Sequence, residues 1–295
     1  MNVAQNLAQR VAVTGASGFI GRHVLAELDR LAVPATLLLR PDAAAPEALG
    51  THRVERLDIN EAPADVFELA GRPDVLIHLA WGGLPNYKAL HHFERELPAQ
   101  YRFLKQMVDA GLRHAVVSGT CFEYGMQSGP LSEDMPAVPA NPYGLAKDTL
   151  RRQLEYLQRE QPFALTWARL FYLHGEGQAP NSLLPLLRSA VARGDKSFPM
   201  SGGEQLRDYL SVTEMAQQLV ALALGAQGCG IVNICSGKPI SVRTLVEGWI
   251  AEHSWPIAPA LGRFPYPDHE PMAFWGDRRK LDQCLQSVQP NPGEP

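Results

Sequence analysis

Tyr143 and Lys147 stand four residues apart in Asn141-Pro142-Tyr143-Gly144-Leu145-Ala146-Lys147. The pair joins a weak acid to a fixed cation. Residues i and i+4 of a helix are neighbours, so phenol and ammonium face one space. A phenol ordinarily titrates at ~10. A nearby ammonium and the positive end of a helix both favour phenolate and are expected to lower that value. Such a group can exchange a proton near neutral pH. The segment carries its own helix start, because Asn141 suits the N-cap and Pro142 the first helical position. Leu150, Leu154 and Leu157 continue it as an apolar face.

A second cluster lies near the start of the chain. Val13-Thr14-Gly15-Ala16-Ser17-Gly18-Phe19-Ile20-Gly21 closes an apolar run and opens a helical one. Gly15 permits a tight turn, Gly18 lets a pyrophosphate approach the backbone, and Gly21 lets the helix pack on a sheet. The helix start offers free N–H groups and partial positive charge. The segment reads as a dinucleotide site, although its glycine spacing is not Gly-x-Gly-x-x-Gly. Leu38-Leu39-Arg40-Pro41-Asp42 marks the strand tip that meets the adenosine ribose. An acid there suits the 2′-hydroxyl of NAD, and an arginine suits a 2′-phosphate. Arg40 therefore favours NADP(H). NAD(H) is the alternative, with Arg40 solvated and Asp42 or another group on the ribose. Asp58 either accepts from the adenine amino group or caps a turn.

The elements that must position these groups alternate along the first half. Strands are expected at Arg10–Thr14, Ala35–Leu39, Val54–Ile59, Val75–Leu79, Ala115–Val117 and Leu165–Leu170. Helices are expected from Phe19, over Phe93–Ala110 and from Pro142. This alternation predicts an α/β fold, a Rossmann-type doubly wound parallel sheet covered by helices on both sides. Later, helices are expected at Ser182–Arg193, Thr213–Leu224 and Ser241–Glu252, with a strand at Ile231–Ile234. The tail from Pro256, with Pro259, Pro265, Pro267 and Pro271, is expected to be extended loop. The expected division is a dinucleotide-binding domain over 1–172, with a later contribution from about 205–235. A smaller substrate-binding lobe follows from 173–204 and 236–295, and the cleft between them is the expected ligand site.

Composition narrows the function classes. The chain has 295 residues, 45% of them apolar and 20% charged, as in a soluble globular protein. A net charge of -4 gives no basic surface for nucleic acid. No apolar run is long enough to span a bilayer, and Met1-Asn2-Val3-Ala4-Gln5 lacks the blocks of a signal peptide. Cys121, Cys229, Cys235 and Cys284 have no metal-ligand spacing, so no metal is expected. They read as reduced thiols of a cytoplasmic protein.

Together these motifs resemble the extended short-chain dehydrogenase/reductase family, in its nucleotide-sugar epimerase, dehydratase and reductase branch. The resemblance covers the chain to roughly residue 250. It rests on Thr14-Gly15-x-x-Gly18-x-x-Gly21, His78-Leu79-Ala80, Ser118-Gly119-Thr120, Tyr124-Gly125, Tyr143-x-x-x-Lys147, Arg169 and Gln205-Leu206-Arg207-Asp208-Tyr209. It implies that Tyr143 is the acid/base and that Lys147 holds the nicotinamide ribose. It implies that Thr120 holds the substrate oxygen, with Ser118 as the competing hydroxyl. Ser17, Phe19, Ile20, Ile59, Leu79, Ala80, Trp81, Ser118 and Leu170 would complete the cofactor site. Arg207 would bind the substrate diphosphate, where an arginine fork suits phosphate oxygens. Asn181 and Trp81 would also touch the sugar nucleotide.

Some positions depart from the family pattern. Tyr172 replaces an asparagine, His174 a tyrosine and Glu96 another asparagine. The segment Trp81-Gly82-Gly83-Leu84-Pro85-Asn86-Tyr87 is similar to that of 6-deoxy-talose ketoreductases and reads as a sugar-facing loop. The implied activity is NADP(H)-dependent reduction, or reversible oxidation, at C4 of a nucleotide-linked 4-keto-6-deoxy sugar. The alternatives are an epimerase with tightly bound NAD and a non-catalytic NADP-binding regulatory protein. The family often forms homodimers, and a homodimer is expected here.

Overall fold

The computed structural model describes residues 9–45, 50–225, 227–266 and 270–288. Met1 to Gln5 and Pro267, used above, lie outside the described residues. In chain order the first half runs β1 (Val11–Thr14), α1 (Phe19–Arg30), β2 (Ala35–Leu39), β3 (Arg53–Arg56), α2 (Val66–Leu69) and β4 (Val75–His78). A π-helical turn, His92–Glu96, leads into α3 (Leu97–Asp109). Then come β5 (His114–Thr120), β6 (Gly129–Leu131), α4 (Pro142–Glu160), β7 (Ala164–Leu170) and β8 (Tyr172–His174). The second half runs α5 (Leu183–Ala192), β9 (Ser197–Pro199), β10 (Leu206–Ser211), α6 (Val212–Leu224), β11 (Gly230–Ile234), β12 (Pro239–Ser241), α7 (Val242–Glu252), β13 (Ala258–Ala260), β14 (Phe274–Gly276) and α8 (Arg279–Val288).

Seven strands form one parallel sheet in the order β11-β7-β5-β4-β1-β2-β3. The strands β1, β4 and β5 are buried along their whole length, which explains their unbroken apolar runs. Helices α1 and α6 pack on one face around Val24, Leu28, Met215 and Leu219. Helices α3 and α4 pack on the other around Phe103, Met107, Leu150 and Leu154. The chain leaves β3 at one edge and re-enters at β4 on the far side of β1. That reversal opens a crevice at the carboxyl ends of β1 and β4, the usual ligand position of such sheets. A third core gathers Leu184, Leu187, Phe198, Val246 and Trp249 from α5, β9 and α7.

Two expectations are corrected. The third strand ends at Arg56, and Ile59 starts a 3-10 turn capped by Asp58 instead of extending the strand. The tail is not all loop. Strand β14 pairs with β6, and α8 packs Leu281, Cys284 and Leu285 against the first core. Leu281, Cys284 and Leu285 have i, i+3, i+4 spacing, a helical signal that the prolines before them masked.

Candidate active site

The glycine turn lies at the crevice. Gly15 has φ +72, and a Cβ there would meet Ala80 N at 2.8 Å. A Cβ on Gly21 would collide with the Gly15 carbonyl, so α1 could not seat against the turn. Helix α1 begins at N-cap Gly18 with no side-chain cap and no acid in its first turn. Its leading N–H groups are thus available to an anion. A cavity of about 680 Å³ is lined by Gly15, Gly18, Phe19, Ile20, Leu79, Thr120, Tyr143, Leu170 and Asn181, among others. A second, of about 330 Å³, is lined by Ser17, Arg40, Asp58, Ile59, Ala80 and Trp81 and shares Gly15, Gly18 and Leu79 with the first. The two cavities thus meet over the glycine turn, as a dinucleotide with its pyrophosphate on the helix start would require. These residues fit that group.

At the adenosine end, no acidic residue ends β2. Arg40 is exposed and 3.8 Å from Asp42, which is itself exposed. Arg56 organises this loop by donating to the carbonyls of Arg40, Pro41 and Ala43. The Asp58 carboxylate accepts from the Asn60 N–H at 2.9 Å, so it caps the turn while also lining the cavity.

At the other end, Asn141 caps α4 by accepting the Gly144 N–H at 2.8 Å, with Pro142 at the start of the helix. This first turn brings Tyr143 into the cavity and Lys147 one turn deeper. The Lys147 ammonium donates to the Ser118 carbonyl at 2.8 Å and lies 4.0 Å from the Trp81 ring centroid. Burial pushes it down to about 7, against the opposing pull of Glu123 and Glu96. Ser118 donates to the His78 carbonyl at 3.3 Å, which turns its hydroxyl into the sheet. Thr120 sits at the carboxyl end of β5, its hydroxyl in hydrogen-bond reach of Tyr143.

The expected lowering of the Tyr143 pKa is reversed in the protein alone. Burial raises it, Tyr87, Glu123 and Cys121 add to the rise, and the Thr120 hydrogen bond opposes it. Desolvation of the charged form is the largest cause of the shift. The ring is ringed by His92 at 5.2 Å, Tyr87 at 5.6 Å, Trp81 at 5.9 Å and Phe122 at 6.4 Å. Among these, Tyr87 and Phe122 also line the larger cavity, with Leu84 and Pro85.

Arg207 does not line that cavity. It is 2% exposed and donates to the carbonyls of Leu206 and Met272 and to Glu270 at 2.9 Å. The Tyr172 hydroxyl donates to the other oxygen of the same carboxylate at 2.7 Å.

The comparisons with known proteins agree with this geometry. The model of the NAD dependent epimerase/dehydratase family matches residues 11–235. The chain belongs to that family. It is 32% identical to dTDP-6-deoxy-L-talose 4-dehydrogenase (NAD(+)) of Aggregatibacter actinomycetemcomitans over 90% of this chain and 98% of the relative. It is 25% identical to the UDP-glucose 4-epimerase of Halalkalibacterium halodurans over 80% of this chain and 78% of that one. A solved structure of MoeE5 in complex with UDP-glucuronic acid and NAD superposes with TM-score 0.80 at 27% identity, covering 94% of this chain and 92% of that one. The chain is therefore an NAD(P)-dependent enzyme of the epimerase/dehydratase family.

Sequence reasoning missed a polar chain inside this family member. The Thr14 hydroxyl accepts from the Leu79 and Ala80 N–H groups at 3.1 and 3.2 Å and lies 3.0 Å from His78 Nδ1. His78 Nε2 reaches Gln100 Oε1 at 2.8 Å, and Gln100 donates to Glu96 at 3.0 Å. Glu96 also takes the Gly82 N–H at 2.9 Å. This network assigns His78 the tautomer with hydrogen on Nε2. The chain fixes the tip of β4 against the glycine turn and anchors the loop that carries Trp81. Trp81 is held further by its indole N–H, which donates to His92 Nδ1 at 3.0 Å.

Proposed function

We propose that this enzyme interconverts a ketone and an alcohol at C4 of a nucleotide-linked 6-deoxy sugar, with NADP(H) preferred. The observation that carries the reading is the pairing of Thr120 and Tyr143 in a cleft whose other end fits a dinucleotide, with Lys147 buried one helical turn behind Tyr143 and 4.0 Å from the Trp81 ring centroid. The dinucleotide, when bound, supplies or accepts the hydride at the sugar carbon. Tyr143 gives its proton to the developing alkoxide, or takes it in the reverse direction. Thr120 holds that oxygen by hydrogen bond. Lys147 is oriented by Ser118 and Trp81, and in its protonated form it favours proton release by Tyr143.

Dehydration of the sugar would need a further acid and base beside the tyrosine. The two residues after Thr120 are Cys121, a buried thiol whose pKa burial raises, and Phe122, which does not titrate. This favours simple carbonyl chemistry. The apolar and aromatic wall of Leu84, Pro85, Tyr87 and Phe122 suits a methyl group at C6 better than a hydroxyl. The named activity of the relative from Aggregatibacter supports C4 carbonyl chemistry on a 6-deoxy sugar, while the cofactor in its name is NAD(+). Arg40 supports NADP(H), because a guanidinium suits the 2′-phosphate. Arg207 would serve the diphosphate only by exchanging the Glu270 carboxylate for it, since its guanidinium is buried and lies outside the larger cavity.

The test is turnover of dTDP-4-keto-6-deoxyglucose with NADPH and with NADH, resolving the stereochemistry of the product. Cofactor oxidation matched to sugar reduction is expected. Interconversion of the two C4 epimers of the corresponding dTDP-6-deoxyhexose, without net cofactor change, would mark an epimerase. Absence of cofactor consumption with every 4-keto nucleotide sugar would end the reductase reading.

A further inference from the structure

Behind the catalytic wall lies a carboxylate that the mechanism does not use. Glu123 is fully buried. Its Oε1 takes the Thr120 backbone N–H at 2.9 Å and the Trp167 indole N–H at 2.9 Å, and its Oε2 takes Arg169 Nε at 2.7 Å. The Thr120 hydroxyl in turn accepts the Phe122 N–H at 3.3 Å, which completes a reciprocal cap over the turn Cys121–Tyr124. Arg169 lies on β7, 4.4 Å from the ring centroid of Tyr124, whose own hydroxyl donates to Asn233 at 2.8 Å. Gly119 makes the arrangement fit, since a Cβ there would come within 2.7 Å of Glu123 Oε1 and collide with the Trp167 indole nitrogen.

We propose that Glu123 is a positioning residue that fixes the Thr120 hydroxyl on the reacting oxygen by clamping the backbone of Thr120. With one lone pair of that hydroxyl taken by the Phe122 N–H, its hydrogen turns toward Tyr143 and the cavity. A carboxylate clamp on the main chain fixes direction in a way the flexible side chain alone does not. Arg169 and Trp167 hold the clamp; they neither face the substrate nor line the larger cavity. The inference rests on the reading of Thr120 as the oxygen holder.

A crossed pair of variants separates clamping from mere charge balance. Glu123→Asp keeps the charge opposite Arg169 but withdraws the carboxylate from the Thr120 N–H. The double variant Glu123→Gln with Arg169→Met removes both charges but keeps a carbonyl within reach of that N–H. Clamping predicts that Glu123→Asp lowers kcat about tenfold or more, with KM and cofactor affinity little changed, as a small misplacement at a reacting centre does. It predicts that the double variant recovers kcat to within about threefold of the parent, the scale of one weakened hydrogen bond. In a Thr120→Val background, Glu123→Asp should cost nothing further in kcat, because the group it positions is gone.

Parental kcat in Glu123→Asp would overturn the inference, as would an equal further loss in the Thr120→Val background. If the double variant does not fold, those two measurements still decide. Parental kcat in Thr120→Val alone would instead overturn the catalytic reading on which the inference rests. Loss in Thr120→Val with none in Glu123→Asp would overturn the clamp alone.

Discussion

Arg169–Glu123 and Arg207–Glu270 are both buried ion pairs, and they are built differently. In the first, the side chains are 1% and 0% exposed, and the carboxylate is also held by Thr120 and Trp167. In the second, Arg207 is 2% exposed but Glu270 is 14% exposed, and the carboxylate is also held by the Tyr172 hydroxyl. The first joins β7 to the turn that carries Thr120, entirely through groups inside the protein. The second joins β10 to a segment reaching the surface, and its cation has the chemistry of a phosphate ligand. A buried pair is weak evidence for stability in itself. The difference therefore lies in what each holds still: the turn that follows Thr120 in one case, the Arg207 guanidinium in the other.

The largest difference between the two regions should appear in kcat. Tyr143→Phe is expected to lower kcat about 10³-fold or more. Cofactor affinity, measured by fluorescence titration, should stay near the parental value. Full activity in that variant would require a different acid. Next comes stability. Glu123→Leu leaves Arg169 buried and unpaired and should cost about 3–5 kcal/mol in denaturant unfolding. Glu270→Leu should cost clearly less, because its carboxylate is nearer solvent; equal losses would erase the contrast.

Acid should weaken the catalytic region through His78. Burial pushes this imidazole from 6.5 to about 3, so it stays neutral in the fold. The unfolded chain takes up that proton at higher pH. Stability from this group is therefore complete above pH 6.5 and falls as the pH drops toward 3. The loss at pH 5 should be about 2 kcal/mol, and a flat stability profile from pH 7 to 4.5 would contradict it. Arg207→Met should then raise KM for the sugar nucleotide about tenfold with kcat nearly unchanged, a loss of uniform binding. A fall in kcat without a change in KM would move Arg207 out of the substrate site. The smallest effect is expected at the adenosine end, where Arg40→Ala should reduce the preference for NADPH over NADH about fivefold, the worth of one exposed phosphate contact.

What could be read from the sequence was local. The glycine turn, the Asn141 cap and the Tyr143–Lys147 spacing are set by neighbours in the chain, and each lies where it was expected. Glu123 was illegible for the opposite reason. Its partner Arg169 is 46 residues away, and beside Tyr124 it reads as an ordinary charged turn residue. The chain from Thr14 through His78 and Gln100 to Glu96 likewise exists only once β1, β4 and α3 are packed. The sign of the Tyr143 shift failed on the same ground, since helix spacing reveals the cation but not the depth of burial. Helix α8 was lost to the prolines before it, although Leu281, Cys284 and Leu285 carried its period.

The most direct test of the central claim is isotopic. The enzyme would be given dTDP-4-keto-6-deoxyglucose and NADPH deuterated on the transferable face of its nicotinamide, and the sugar product analysed by NMR. One deuterium at C4, matched to the NADPH oxidised and formed about 10³-fold more slowly in Tyr143→Phe, is the predicted result. A sugar product without deuterium at C4, or deuterium transfer at the parental rate in Tyr143→Phe, would contradict it.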